Sequence, residues 1–275
     1  MVLIKSISGI RGTLENIPGT SLSEDDIIKV VLSYIKEVAV PSKNNLIILG
    51  RDARPSGKWI SKLIIKILIE KGINVIDLGL STTPSIGIYV KTHQASGGII
   101  ISASHNSIEW NALKLLNHKG EFLNKEVAIK IMNSTNSNYD VSKTKGTYRS
   151  SKDALKEHIE KILSLDIINK KAIKSKNYRV VVDGINSVGG IAVPQLLEKL
   201  GVQKIKKINC EPNGDFSHNP EPLPENILEI RNCVKKHNYD FGIVVDPDVD
   251  RLCFVDHEGN PVAVSYTHLT LPTKA

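Results

Sequence analysis

Aromatic side chains make up only 5% of this 275-residue sequence, so Ile, Leu and Val must fill most of any core. Cysteine is equally sparse. Cys210, Cys233 and Cys253 are odd in number and lack metal-ligand spacing, which excludes a disulfide framework. They read as reduced thiols of a cytoplasmic protein, small and apolar enough to be buried. No apolar run approaches the roughly 18 residues of a membrane span, so no membrane partner is expected. The opening MVLIKSISGIRG has neither the long apolar stretch nor the cleavage pattern of a secretory leader. A Walker-type phosphate loop and a GxSxG nucleophile elbow are both missing, which argues against nucleotide-driven chemistry and a Ser-His-Asp hydrolase.

Charge is not lacking: the formal balance is +7, with a pI near 9.1. Much of the excess lies between Lys143 and Arg179, interleaved with Asp and Glu, as on a solvated helical face. No aromatic-basic interleaving accompanies it, so no nucleic-acid partner is expected. A positive potential would also gather phosphorylated sugars.

The length suits about two domains at roughly 150 residues each. In the first half, LIILG, NVIDLGL and GGIIIS read as buried strands. Between them lie a helix from Lys58 to Lys71, closed by Gly72, and the helix TPSIGIYVKTH, with Pro84 in its first turn. That alternation predicts an α/β layer with a mostly parallel sheet. From Met132 to Ser151 the chain turns polar and reads as a linker carrying a short extended segment. A helix from Lys152 then opens a second α/β unit. It continues with the strand YRVVVDG, a helix ending at Leu200–Gly201, the strand KIKKINC, the helix PENILEIRNCVKKHN, and DFGIVV paired with RLCFVD.

Two short segments carry the chemistry. SASHN, Ser102 to Asn106, follows a buried strand, where open α/β sheets place their ligand crevice. A serine there could be a nucleophile or a phosphate carrier, and a polar turn capped by Ser and Asn is the plainer alternative. DPDVDR, Asp246 to Arg251, offers carboxylates at alternate positions to one hard cation. An EF-hand fails because Arg251 and His257 stand where glycine and glutamate belong. A haloacid-dehalogenase loop would not place Asp250 last. A merely solvated acidic turn would leave three carboxylates crowded without neutralisation, so a divalent metal is favoured.

Together these segments resemble the α-D-phosphohexomutases, which include phosphoglucomutase, phosphomannomutase and phosphoglucosamine mutase. SISGIRG (Ser6 to Gly12), GRDARPSG (Gly50 to Gly57), SASHN with the following WNALK, and DPDVDR occur in that family's order and spacing. EPNGDFSHNPEPLPENIL, Glu211 to Leu228, is a softer match. Ser107 departs from the family, where many relatives have proline. The resemblance implies two consecutive mixed-sheet α/β domains, residues 1–140 and 152–258, joined by a linker at 141–151.

The resemblance also implies a set of roles. Ser104 would be the phosphoserine, its phosphate joining Asp246, Asp248 and Asp250 around Mg²⁺. Arg251 and Arg11 would steady that region, with an ion-pair role open for Arg11. Lys114 would act as acid/base or orient phosphate, unless it is a lysine reaching from a strand to water. His105 would shape the loop, His218 would be structural, and Arg51, Asp52 and Arg54 would form a salt-bridge cluster holding the first domain.

Phosphate would pass from Ser104 to a phosphorylated hexose or hexosamine and return from its other position. SAS before the histidine is more like phosphoglucosamine mutases than the TGS or TAS forms, so glucosamine 6-phosphate leads. Phosphomannomutase or phosphoglucomutase activity is the alternative, and a catalytically incomplete metal-binding fragment the second. Domains three and four, with the family's sugar and phosphate loops, are expected to be missing. Residues 259–263 would begin the third domain. VSYTHLTLPT, within 264–275, resembles a translated sequencing-library adapter and would be a tail foreign to the fold.

Overall fold

The computed structural model describes residues 3–6, 9–15, 21–42, 44–134 and 144–263. Ile7 and Ser8 of the first motif, residues 141–143 of the expected linker and the 264–275 tail lie outside them. The first unit opens with β1 (Ile4–Ser6), β2 (Gly9–Thr13) and α1 (Glu24–Tyr34), which a π-helical turn extends through Ile35–Ala39. It continues with β3 (Leu46–Arg51), α2 (Gly57–Glu70), β4 (Asn74–Leu80), α3 (Thr83–Thr92) and β5 (Gly97–Ile101). β6 (Trp110–Leu116), α4 (Lys125–Asn133) and β7 (Tyr148–Ser150) complete it.

Among the described residues these strands form one sheet in the order β1-β2-β6-β5-β3-β4-β7. The sheet is mixed rather than mostly parallel. β3 pairs in parallel with β4 and β5, and β4 with β7, but β5–β6, β6–β2 and β2–β1 are antiparallel. The tight serine-loop connection from β5 to β6 is what reverses direction, since parallel neighbours need a long crossover. The short extended segment expected in the linker is β7, an edge strand of this sheet.

Period-two alternation sorts the core into two layers. Ile47, Leu49, Ile99 and Ile101 face α1, α2 and α4, through residues such as Ile27, Ile60, Ile64 and Ile131. Ile48, Ile76 and Ile100 face α3, through Ile86, Tyr89 and Val90.

The second unit runs α5 (Ala154–Leu163), α6 (Lys170–Ser175), β8 (Arg179–Asp183), α7 (Gly189–Leu200) and β9 (Lys204–Ile208). Then come α8 (Leu228–Lys236), β10 (Phe241–Val245), β11 (Leu252–Val255) and β12 (Pro261–Ala263). α8 starts later than its sequence pattern suggests, because Pro224 to Asn226 make a turn. The sheet order is β12-β11-β10-β8-β9, with β8 parallel to both β9 and β10. β11 returns antiparallel on β10, as the hairpin reading expects. Val180, Val182, Ile243 and Val245 pack on α7, and Val181 and Val244 on α8. α5 also touches the first unit: Ala154 joins the α3 layer, and His158 Nδ1 lies 2.9 Å from Ser85 Oγ. No helix among the described residues is long and apolar enough to cross a membrane.

Candidate active site

The carboxyl ends of β3, β5, β8 and β10 face one another, and the serine and acidic loops meet there. Ser104 ends the buried run that continues from β5 through Ser102 and Ala103, and adopts a left-handed φ of +52°. Such a conformation is costly for a residue with a side chain and needs outside support. Arg54 supplies it. Its fully buried guanidinium donates to the carbonyls of Ser104 (2.7 Å), Asn106 (2.7 Å) and Ser107 (2.6 Å). Asp52 holds Arg54 in turn, Oδ2 accepting from Nε at 3.0 Å. Ser102 Oγ donates to the same carboxylate at 2.7 Å and accepts from Ser104 N–H at 3.0 Å. Burial raises the Asp52 pKa, and the Arg54 charge and the Ser102 hydrogen bond only partly counter it. Arg51 donates to the Asp52 carbonyl at 3.1 Å. The Arg54 carbonyl clamp holds the Ser107 end of the loop in place.

Ser104 Oγ donates to Asp246 Oδ2 at 2.5 Å and lies 3.3 Å from Asp250 Oδ1. Asp246 Oδ1 accepts the backbone N–H groups of Asp250 and Arg251, both at 3.0 Å, which curls the loop on its first aspartate. Lys114, on β6, reaches across from the first unit: its Nζ lies 2.5 Å from Asp248 Oδ2 and 2.7 Å from Asp250 Oδ2. It is a buried ammonium, not a lysine reaching for water. Burial alone would lower its pKa, but the two carboxylates hold it well above the ordinary lysine value. Asp248 is also fully buried; the Lys114 charge and the hydrogen bonds from Lys114 and Thr83 outweigh burial and lower its pKa. Asp246 goes the other way, raised by burial and then by the charges of Asp248 and Asp250.

One ammonium among three carboxylates leaves the cluster short of positive charge. Oxygens of Asp246, Asp248 and Asp250 lie within 4.8 Å of one another. Asp248 Oδ1 is buried without a hydrogen-bond partner. A buried acceptor of this kind needs an explanation, and a cation among hard oxygen donors supplies one. The residues therefore fit a hard cation such as Mg²⁺.

Arg251 pairs with Glu221 at 2.7 Å, tying the acidic loop to the segment after β9. Arg11 donates to Asn106 Oδ1 at 3.2 Å from β2. His105 flanks Ser104; burial, then the charges of Arg251 and Arg11, lower its pKa against the opposing pull of Glu221 and Asp250. A cleft of about 460 Å³ opens beside these residues, lined by His105, Ser107, Phe216, His218 and Glu221 among others. A larger hollow of about 590 Å³ reaches Ser96, which precedes β5, and contains none of the site residues.

Sequence reasoning missed the reach of Arg54 into the serine loop and the part played by Thr83. Thr83 donates its backbone N–H to the Asp248 carbonyl at 2.9 Å and its hydroxyl to Asp248 Oδ2. The available signal was the TTPS run at a helix start, which marks a cap but not the partner of that cap.

Comparison with known proteins identifies the family and the fold. Residues 4–141 match the family model described as phosphoglucomutase/phosphomannomutase, alpha/beta/alpha domain I, and residues 156–259 match its domain II. A phosphoglucomutase/phosphomannomutase of Thermococcus kodakarensis is 37% identical over 78% of this chain and 47% of its own length. A phosphoglucosamine/phosphogalactosamine mutase of Sulfurisphaera tokodaii is 33% identical over 79% of this chain and 48% of its own. The chain thus spans about half the length of these curated relatives. The crystal structure of a phosphoglucomutase/phosphomannomutase family protein from Burkholderia thailandensis superposes with a TM-score of 0.77 at 22% identity. It covers 94% of this chain and 57% of that one, a likeness of fold.

Proposed function

The chain belongs to the phosphoglucomutase/phosphomannomutase family, and from that premise we propose that its site carries a phosphoryl group on Ser104 and exchanges it with a hexose or hexosamine phosphate. The observation that carries this reading is the meeting of Ser104 Oγ, 2.5 Å from Asp246, with an acidic cluster contributed by the other unit. Residues 1–140 supply the serine, residues 152–258 supply the carboxylates, and 141–151 join them.

Asp246, Asp248 and Asp250 would hold Mg²⁺, which when bound neutralises charge on the transferring phosphoryl oxygens. Arg54 and Asp52 keep Ser104 in its left-handed conformation with Oγ facing the acidic loop. Transfer to a sugar hydroxyl breaks the phosphorus–oxygen bond at Ser104 and forms one at the sugar; the reverse transfer restores the phosphoserine from the other position. Lys114 Nζ, 2.5 Å from Asp248 and 2.7 Å from Asp250, would steady charge and orient phosphate at the cluster, or act there as acid/base. His105 lines the neighbouring cleft, where the sugar phosphate would enter, and Arg251 and Arg11 hold two other lining residues, Glu221 and Asn106. Glucosamine 6-phosphate is the leading substrate. The SAS run before His105 and the relative named for glucosamine and galactosamine phosphates both support it. The relative named for glucose and mannose keeps those sugars as the second reading. The unpaired Cys210, Cys233 and Cys253 accord with a cytoplasmic setting.

Incubation with Mg²⁺ and glucosamine 1,6-bisphosphate or glucose 1,6-bisphosphate, followed by peptide mass spectrometry, tests the carrier. A phosphopeptide spanning Ser104, lost in Ser104→Ala, is expected. Parent protein that stays unmodified with every bisphosphate would overturn the reading, and the bisphosphate that labels faster identifies the sugar.

A further inference from the structure

The two oxygens of Asp248 are treated differently, and the difference comes from the first unit. Oδ2 accepts from Lys114 Nζ and from the Thr83 hydroxyl, whereas Oδ1 is buried and has no partner. Thr83 is the first residue of α3, and its backbone is not free to follow the carboxylate. Thr82 caps that helix, its hydroxyl accepting from Ser85 N–H at 3.1 Å, and Pro84 fixes the next φ. The Thr83 N–H, one of the donors a helix start leaves without an internal partner, is directed at the Asp248 carbonyl. A short side chain on a pinned backbone therefore meets both the main chain and the carboxylate of one acidic-loop residue. Lys114 cannot impose the same choice. Its ammonium ends a flexible four-carbon stem and also serves Asp250, so it can follow either oxygen.

We infer that Thr83 is the positioning residue that turns Asp248 Oδ1 toward the cation, so that cation binding in the second unit depends on α3 of the first. This rests on the reading of Asp246, Asp248 and Asp250 as the metal site. Without the hydroxyl, the carboxylate could rotate about its last bond, exchanging the oxygen held by Lys114 for the one left to the ion. Groups that orient metal-ligating carboxylates in this way typically change metal affinity by about 10–100-fold when removed.

Thr83→Val removes the hydroxyl, keeps the backbone N–H and stays close in shape; Thr83→Ser keeps the hydroxyl on a smaller side chain. Mg²⁺ titrated calorimetrically into the full chain should bind Thr83→Val roughly 10–100-fold more weakly than the parent. Thr83→Ser should restore most of that loss. Circular dichroism melts accompany the titrations, and Thr83→Ala repeats the measurement should valine disturb the helix start. Parent-like Mg²⁺ affinity in Thr83→Val or Thr83→Ala overturns the positioning role while leaving the metal site intact. Equal weakening in Thr83→Ser and Thr83→Val also overturns it, since the hydroxyl would then be irrelevant. Absence of Mg²⁺ binding by the parent overturns the metal reading itself and this inference with it.

Discussion

Each unit buries an aspartate at the carboxyl end of an inner strand, and the two aspartates are neutralised by different kinds of cation. Asp52 follows β3 and Asp183 ends β8; both are fully buried. Each uses Oδ1 to accept the N–H two residues on, from Arg54 and from Ile185, both at 3.0 Å. Each then meets a side-chain nitrogen at 3.0 Å with Oδ2, from Arg54 Nε in one unit and His218 Nε2 in the other. Arginine keeps its charge at any pH the fold survives. Histidine does not. The serine loop therefore hangs from a fixed charge, and the opposite wall of the cleft from a titratable one.

The contrast is broken most severely at Arg54. Arg54→Met would leave Asp52 buried without its cation and release the carbonyls of Ser104, Asn106 and Ser107. Removing one partner of a buried pair costs about 3–5 kcal/mol, and urea denaturation should show a loss of that size. Phosphorylation at Ser104 should fall with it, because among the described residues no other side chain bridges all three carbonyls. Adding Asp52→Asn should recover part of the stability and none of the labelling. A loss below about 1 kcal/mol, the range of an exposed pair, would mean that the clamp does not hold the loop.

The same comparison predicts a pH dependence on the histidine side. His218 Nδ1 lies 2.8 Å from the Asn219 carbonyl while Nε2 faces Asp183, so both neighbours accept and both ring nitrogens must donate. Burial works to lower its pKa; the Asp183 hydrogen bond and charge, the Asn219 carbonyl and Glu229 outweigh it, and the pKa is raised. A folded-state pKa above the unfolded one stabilises most below the unfolded value, near 6.5, and that stability fades as pH rises through the folded value. His105 and His158, lowered mainly by burial, have the opposite sign, so the parent must be compared with His218→Gln. Loss of hydrogen bonds to a charged group costs about 2 kcal/mol. His218→Gln should be destabilised by about that much at pH 6 in urea, and the deficit should shrink toward pH 9. A deficit that stays constant with pH would show that His218 is held neutral.

The strands that carry these aspartates were legible because buried strands announce themselves as apolar runs between turn residues: LIILG, GGIIIS, YRVVVDG and DFGIVV all stand where they read. The serine and acidic loops were legible because each follows such a run and has an unusual residue pattern. The edge strand at Tyr148 was less so, since an exposed three-residue segment has no periodicity to show. Arg54, Thr83 and His218 were harder for a different reason. Arg54 meets Ser104 across 50 residues, Thr83 meets Asp248 across 165, and His218 meets Asp183 across 35. Periodicity reports which face of an element is buried, not which distant group a buried polar atom will meet. Lys114 shows the limit well. Its strand was not in doubt as a setting, yet only the packing of two units distinguishes a buried ammonium from one reaching for water.

The smallest effect concerns strain, which the two loops also share. Ser104 has φ +52° in one and Val249 has φ +62° in the other. Ser104 cannot be relieved without removing the proposed phosphate carrier, but Val249 can, because its side chain is only partly buried where it packs on the α7 layer. A branched residue in this region is an outlier, carrying roughly 1 kcal/mol or more of strain. Ordinarily alanine is better than glycine by about 0.5–1 kcal/mol, since glycine loses more freedom on folding. At Val249 the order should reverse. Val249→Ala gives up packing and keeps the strain, so it should fall below the parent. Val249→Gly gives up the same packing but removes the strain, and should exceed Val249→Ala by about 1 kcal/mol in urea. The added freedom should at the same time weaken Mg²⁺ binding, since the loop between Asp248 and Asp250 would no longer be confined to one conformation. Alanine matching or surpassing glycine in stability would show that the acidic loop is relaxed, and that strain belongs to the serine loop alone.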